Sequence, residues 1–246
     1  MNTASVIEPD ALAAGRPLRL LDVRDVPAFD AAHATKAIRV PIEEWEAAAK
    51  ADTTGLDNVA YWEQAIRQLG IDDHALAVVY DDGRMTEAAR VWFILQYFGV
   101  RATILNGGWP ALSSPDIPAE WIASGSAAFH ASPDSGRVGL TDRVTLQSEL
   151  EDGIDILDAR TVAEFRGEDL RRNKRGGHIP GARHLPHGAL LIQNRLRHSD
   201  ELRQLLAEAG FQSGDDIITH CDGEDAPRWR QRLPFMPVTT TCAFTT

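Results

Sequence analysis

The sequence predicts an α/β protein made of two copies of one unit, each a mostly parallel sheet flanked by helices. Three observations carry this. Short, near-continuous apolar runs recur along the chain, as in strands covered on both faces. Amphipathic segments, several ending at a glycine, separate them. The pattern of the first half then returns in the second.

The elements follow in order. Residues 18–23 form an apolar strand ending in Asp22-Val23-Arg24. Residues 26–34 read as a helical turn or two, and 37–41 as a second short strand closed by Pro41. Helical spacing marks 45–50 and 59–69, with Gly70 where a C-cap belongs. Residues 75–80 are a buried strand, followed by the turn Asp81-Asp82-Gly83-Arg84. Residues 86–98 predict an amphipathic helix that turns Ala88, Val91, Trp92, Leu95 and Phe98 inward, and Gly99 closes it. Residues 102–105 are another strand, leading into Asn106-Gly107-Gly108-Trp109. Alternation of this kind argues a mostly parallel sheet. Residues 113–139 hold Pro115, Pro118 and Pro133 among many Ser, Ala and Gly residues, which is linker composition. The expected division is a first domain over 1–115, a linker over 116–140 and a second domain over 141–246.

The repeat is explicit. Ile156-Leu157-Asp158-Ala159-Arg160-Thr161-Val162-Ala163-Glu164-Phe165 lies over Leu20-Leu21-Asp22-Val23-Arg24-Asp25-Val26-Pro27-Ala28-Phe29. The segment from Gly177-His178 to Leu185-Pro186 lies over that from Ala32-His33 to Val40-Pro41. Residues 210–223 then lie over 70–83 without a gap, so Asp81 holds the place of Cys221. Three matched segments in one order mark a duplicated unit with a thiol in only one copy.

The totals bound the function. The chain has 246 residues, 43% hydrophobic and 25% charged, as in an ordinary globular protein. A formal charge of −11 disfavours nucleic acid or an anionic membrane as partner. Two cysteines, Cys221 and Cys242, do not build a disulfide-stapled secreted domain. Residues 1–10 carry no signal-peptide pattern, and no run has the length of a membrane span. A cytoplasmic location is expected. No cofactor is implied, and no metal: His220 and Cys221 have no second ligand pair at metal spacing.

Cys221 is the centre of interest. A lone cysteine is ordinarily a small buried hydrophobe. This one follows a short apolar strand, Ile217 to Thr219, and precedes a glycine-containing turn. Open parallel sheets bind ligands beyond the carboxyl ends of their strands. A thiol there stands at the mouth of a crevice, where loop N–H groups and a helix N-terminus can stabilise a thiolate.

These segments resemble the tandem-domain rhodanese family, the thiosulfate and 3-mercaptopyruvate sulfurtransferases. The resemblance rests on Leu157-Asp158-Ala159-Arg160, Glu164-Phe165-Arg166-Gly167, Gly177-His178-Ile179-Pro180-Gly181-Ala182 and His220-Cys221-Asp222-Gly223. Leu21-Asp22-Val23-Arg24 and Asn106-Gly107-Gly108-Trp109-Pro110 match in the first half. It covers roughly residues 15–225. It implies two rhodanese-like domains, the first structural and the second catalytic. It implies that Cys221 takes sulfane sulfur from a small-molecule donor as a persulfide and passes it to a thiophile such as cyanide or a thiol. Residues Asp222, Gly223, Glu224, Asp225 and Ala226 would form the active-site loop. By position, Arg171 and Arg175, in the run with Arg172 and Lys174, match the family's substrate-facing cations. Asp158 and Arg160 are expected to form a strand-end ion pair or tether, and His178 to fix its own turn. Mercaptopyruvate-type relatives often carry an arginine where this chain has Glu164, which weakens the case for an α-keto acid donor.

From about residue 224 the family pattern fails. Where the first domain continues into a helix, a strand and the Asn-Gly-Gly-Trp turn, the second reads Glu224-Asp225-Ala226-Pro227-Arg228-Trp229 and on through Pro234 and Pro237. Prolines so placed forbid a regular helix. The tail reads as a reading-frame change or a degenerate terminus. The expected consequences are a missing helix and strand, exposed apolar surface, and two carboxylates beside an anion site that would raise the thiol pKa. Impaired activity follows, and with it the alternative of an inactive pair acting as a binding or regulatory module. A phosphatase is disfavoured: the sixth residue after Cys221 is Pro227, where a phosphate-wrapping loop needs arginine.

Overall fold

The computed structural model describes residues 4–13, 17–71, 75–112, 129–141, 143–151, 153–171, 173–212, 216–220 and 230–234. It divides into two compact units, residues 1–137 and 138–246.

The first unit is built on a five-stranded sheet in the order β1-β5-β4-β2-β3, with every pair parallel. Its strands are β1 (Val6–Ile7), β2 (Leu18–Asp22), β3 (Ile38–Arg39), β4 (Leu76–Tyr80) and β5 (Ala102–Leu105). Its helices are α1 (Val26–Ala31), α2 (Ile42–Lys50), α3 (Val59–Gln68), α4 (Thr86–Tyr97) and the short α5 (Gly108–Ala111). β2 and β4 are buried along their whole length, as their continuous apolar runs require. Ile7, Leu20, Val78 and Leu105 belong to one core cluster. Trp62 makes aromatic contacts with Trp45, edge-on at 5.4 Å, and with Phe98, stacked at 5.9 Å. Helix α4 is the parallel crossover between β4 and β5, and all its residues from Val91 to Tyr97 are buried.

Residues 129–137, within the stretch of linker composition, lie on this unit. Phe129 is buried, and its carbonyl accepts from Arg67 Nε at 2.8 Å. The Ala131 N–H donates to Glu63 at 3.0 Å, and the Ser132 N–H to the Phe98 carbonyl at 3.2 Å. Proline, serine and glycine predict irregular backbone, but one buried aromatic and a few hydrogen bonds are enough to fasten it.

The second unit repeats the plan with one change. Its strands are β6 (Gly139–Thr141), β7 (Asp155–Asp158), β8 (Arg183–His184), a small hairpin of β9 (Leu191–Ile192) and β10 (Arg195–Leu196), then β11 (Asp216–His220) and β12 (Arg230–Pro234). Helices α6 (Arg143–Glu151), α7 (Val162–Arg166) and α8 (Ser199–Glu208) complete it. β11 and β4 begin and end at the positions that the sequence repeat aligns. The main sheet runs β6-β12-β11-β7-β8. β11-β7 and β7-β8 are parallel, whereas β12 runs antiparallel to both β11 and β6. Leu157, Leu185, Leu202, Leu206, Phe211 and Ile217 form the larger core cluster.

Here the expectation of a missing strand is corrected. β12 fills the place that β5 holds in the first unit, with its direction reversed. Only nine residues separate β11 from β12. A parallel return needs a crossover of about a dozen residues or more, while an antiparallel return needs far fewer. Pro234 is compatible with the strand because β12 pairs with β6 only through Arg230, Gln231 and Arg232, which leaves Pro234 beyond that ladder. The expected loss of the helix after β11 falls on residues 221–229, which lie outside the described residues.

The Asn-Gly-Gly-Trp turn has a plain structural reason. Gly107 and Gly108 have φ of 80° and 57°. A Cβ on Gly108 would lie 2.5 Å from the Asp81 carbonyl oxygen and 2.6 Å from the Gly83 nitrogen. The Trp109 N–H donates to that same carbonyl at 2.8 Å. The turn after β5 thus clamps the loop after β4. Gly108→Ala is expected to cost about 2–4 kcal/mol, from backbone clash and positive φ. Gly188→Ala, whose Cβ meets nothing within 4 Å, should stay within about 0.5 kcal/mol of wild type. Urea unfolding of the two variants checks this.

Candidate active site

The site is built at the carboxyl edge of β7 and β11. Their parallel register sets His220 opposite Asp158. β7 ends in Asp158-Ala159-Arg160, and the two charged residues close a fork. Arg160 Nε donates to Asp158 Oδ1 at 3.0 Å, Nη2 donates to Oδ2 at 2.7 Å, and the Arg160 backbone N–H donates to Oδ1 at 3.0 Å. Asp158 is fully buried and Arg160 nearly so. A buried carboxylate that loses its cation costs about 3–5 kcal/mol, so the pair is obligatory once formed. Arg160 Nη2 also donates to the Gly177 carbonyl at 2.8 Å, which ties the loop before His178 to the strand end.

Thr161 then caps α7 with its side chain, and Glu164 Oε2 accepts from the Thr161 N–H at 3.0 Å in a capping box. Phe165, one residue on, is stacked on both sides: against His178 at 3.8 Å and against His184 at 4.4 Å. His178 Nδ1 bonds the Phe165 carbonyl at 2.9 Å, and His184 Nε2 bonds the Arg160 carbonyl at 2.8 Å. His178 therefore fixes its turn. Gly167, with φ of 78°, lets the loop cross closely: a Cβ there would meet the Gly177 nitrogen at 2.7 Å.

The first unit carries the same frame. Arg24 forks onto Asp22, with Nη2 to Oδ2 at 2.6 Å, and reaches the Ala32 carbonyl at 2.7 Å. Phe29 stacks on His33 at 4.0 Å, and His33 Nδ1 bonds the Phe29 carbonyl at 2.8 Å. Arg24 also lies over Trp109, 4.5 Å from the ring centroid. Beyond β4, in the place of the thiol, the buried Asp81 carboxylate accepts three backbone N–H groups. They come from Gly83 at 2.8 Å, Met85 at 3.2 Å and Ala88 at 3.3 Å. The loop with the start of α4 is thus an anion cradle, and this copy fills it with its own side chain. Burial pushes the Asp81 carboxyl up, against the pull of those three donors.

A family model for the rhodanese-like domain matches the chain twice, over residues 9–114 and 143–235. The chain belongs to the rhodanese-like family. Both units are rhodanese-like domains, and the second match continues past Gly223 into the tail. A 3-mercaptopyruvate sulfurtransferase of Escherichia coli is 33% identical over 162 residues, covering 64% of this chain and 57% of that protein. A putative thiosulfate sulfurtransferase of Mycobacterium tuberculosis is 30% identical over 233 residues, covering 85% of this chain and 79% of the other. The same fold occurs in the crystal structure of SseA from Escherichia coli, described as a 3-mercaptopyruvate sulfotransferase. It has a TM-score of 0.62 at 24% identity and covers 92% of this chain and 90% of that one. The yeast mitochondrial complex I sub-stoichiometric sulfur transferase subunit has a TM-score of 0.67 at 20% identity, covering 89% and 85%.

Of the residues singled out in the sequence, Asp158, Arg160 and His178 stand together in the rhodanese-like frame. Arg171, Lys174 and Arg175 are exposed on the loop between α7 and His178. Cys221, Asp222, Gly223, Glu224, Asp225 and Ala226 lie outside the described residues, as do Arg172 and Cys242. Among the described residues no cluster of metal ligands forms and no helix is long and apolar enough to cross a membrane.

The sequence reading missed three features. The Phe165–His178 stack was signalled by the repeat, since Phe29 and His33 occupy the matching places. His184 carried no such signal. Glu164, noted only as a departure from the family, is almost wholly buried. Its Thr-x-x-Glu spacing marks the capping box.

The Asp81 shift gives a testable slope. Its folded value lies above the ordinary carboxylate value, so the folded state holds the proton more tightly. The associated stability is fully present below about pH 4 and is lost as pH rises through the folded value. The stability difference between wild type and Asp81→Asn, measured by urea unfolding from pH 3.5 to 7, should therefore move against the wild type as pH rises. A difference that is flat in pH contradicts the assignment.

Proposed function

We propose that this chain is a rhodanese-type sulfurtransferase whose nucleophile is Cys221. One observation carries the reading: β11 ends in the duplicated frame, in the register at which the first domain presents Asp81 to three N–H donors. In the second copy the next residue is a thiol. A strand-end thiol beside backbone N–H donors is the kind of group that such donors activate as a thiolate nucleophile. The relatives named as thiosulfate and 3-mercaptopyruvate sulfurtransferases support the same chemistry.

The transfer balances without a cofactor. The Cys221 thiolate attacks the sulfane sulfur of thiosulfate. The sulfur–sulfur bond of the donor breaks, and sulfite leaves with the electron pair. With 3-mercaptopyruvate the carbon–sulfur bond breaks instead, and the enolate of pyruvate leaves and is protonated. Cyanide then attacks the outer sulfur of the persulfide, which releases thiocyanate and restores the thiolate. A thiol acceptor works the same way. Arg171 and Arg175 supply positive charge for the donor anion. The residues 222–226 act as the loop around the thiolate. The expected setting is a soluble cytoplasmic one with small-molecule partners. Of the two domains, the first is the structural one.

One observation favours a second reading, a catalytically silent pair. No helix follows β11 among the described residues, and β12 returns antiparallel. The crossover helix and glycine clamp that hold the Asp81 loop in the first unit thus have no counterpart among the described residues of the second. Thiocyanate formation from thiosulfate or 3-mercaptopyruvate with cyanide separates the two. The enzyme reading expects turnover that Cys221→Ser abolishes, by at least about a thousandfold, and that Cys242→Ser leaves intact. Absence of turnover in a folded sample with both donors supports the silent pair.

A further inference from the structure

Arg171 is poorly placed to act as a free anion receptor. Its Nε lies 3.2 Å from Glu164 Oε1 and 3.4 Å from Asp169 Oδ2. One guanidinium thus faces two carboxylates. Glu164 is 2% exposed, whereas Arg171 is 39% exposed at its side chain. Oε1 accepts no hydrogen bond among the described residues, so its contact with Arg171 is an ion pair without hydrogen-bond alignment. Glu164 Oε2 is spent on Thr161, whose N–H and hydroxyl both donate to it. Arg171 itself has a φ of 50°, unusual for a residue with a side chain, and its N–H donates to Asp169 Oδ1 at 2.8 Å. The geometry holds the arginine back toward α7.

We propose that Glu164 is a specificity-determining residue that tethers Arg171 and so penalises donors in proportion to their negative charge. The inference rests on the reading of Arg171 as a donor-facing cation. A dianionic donor that recruits Arg171 must leave a buried carboxylate without its cation, which is costly. A donor with a single negative charge gains less from Arg171 and loses less when it is withheld. Thiosulfate is therefore handicapped relative to a monoanionic sulfane donor of the same class, such as methanethiosulfonate. The tether also leaves Arg175, which is exposed, as the cation more available to either donor.

Glu164→Gln is a clean test, because glutamine also serves at the third position of a capping box. KM and kcat for thiocyanate formation are measured with thiosulfate and with methanethiosulfonate, in the full chain. Glu164→Gln should lower KM for thiosulfate at least about threefold, with a smaller fall for the monoanion and little change in kcat. The gain should vanish in the Glu164→Gln/Arg171→Ala double variant. An unchanged or raised KM overturns the proposal, and so does the same gain without Arg171. Asp169→Asn, at an exposed position, gives a second variant expected to move KM the same way. If the wild type makes no thiocyanate, the enzyme reading fails but the tether is still tested. Thiosulfate-induced shifts in melting temperature should then reach half their maximum at a lower concentration in Glu164→Gln than in wild type. Equal concentrations contradict the tether.

Discussion

The fork between a strand-end aspartate and the arginine two residues later is the interaction on which the rest depends. Asp158 and Asp22 are both fully buried. A carboxylate so placed is tolerable only with a cation and several donors on it, and the arginine supplies both its guanidinium and its own backbone N–H. The Nη2 that binds the carboxylate has a second N–H. In each unit that N–H donates to a carbonyl in the loop just before a histidine, Gly177 in one and Ala32 in the other. The histidine in turn stacks on the aromatic of the helix that starts beside the fork. One buried charge thus fixes the strand end, the helix start and the returning loop as a single piece.

Among the described residues, what differs between the copies is the strand on the other side of β4 and of β11. In the first unit α4 carries the chain over the sheet, and the turn at Gly108 presses back onto the Asp81 loop. That loop directs three N–H groups at one anionic side chain. In the second unit β12, after nine intervening residues, lies antiparallel to β11. β11 is thereby paired on both sides rather than left as an edge open to association. The helix dipole worth about half a charge at a helix N-terminus has no described counterpart there. The two domains therefore share the frame that aims the strand end and, among the described residues, differ in the direction of the strand beside it.

Much of this was legible in the sequence. The repeat aligned β4 with β11 residue for residue, because the buried runs before Asp81 and Cys221 match in length and in flanking glycines. The fork was foreseeable from an aspartate and an arginine two apart at a strand end. Two things were not legible. Strand pairing uses backbone groups, so Arg230–Pro234 carries no apolar signature that would have marked it as the replacement for β5. The burial of Glu164 depends on where Arg171 returns, seven residues further along the chain, and no local pattern specifies that meeting. The linker stretch shows the same limit: its composition predicted irregular backbone, and only the packing of Phe129 on the first unit shows where it lies.

The most direct test is the mass of the intact full-length chain after incubation with thiosulfate and removal of excess donor, followed by peptide mapping. The account predicts a gain of one sulfur atom, located on Cys221 and removed by cyanide. A folded chain that gains no sulfur, or gains it on Cys242, would contradict it.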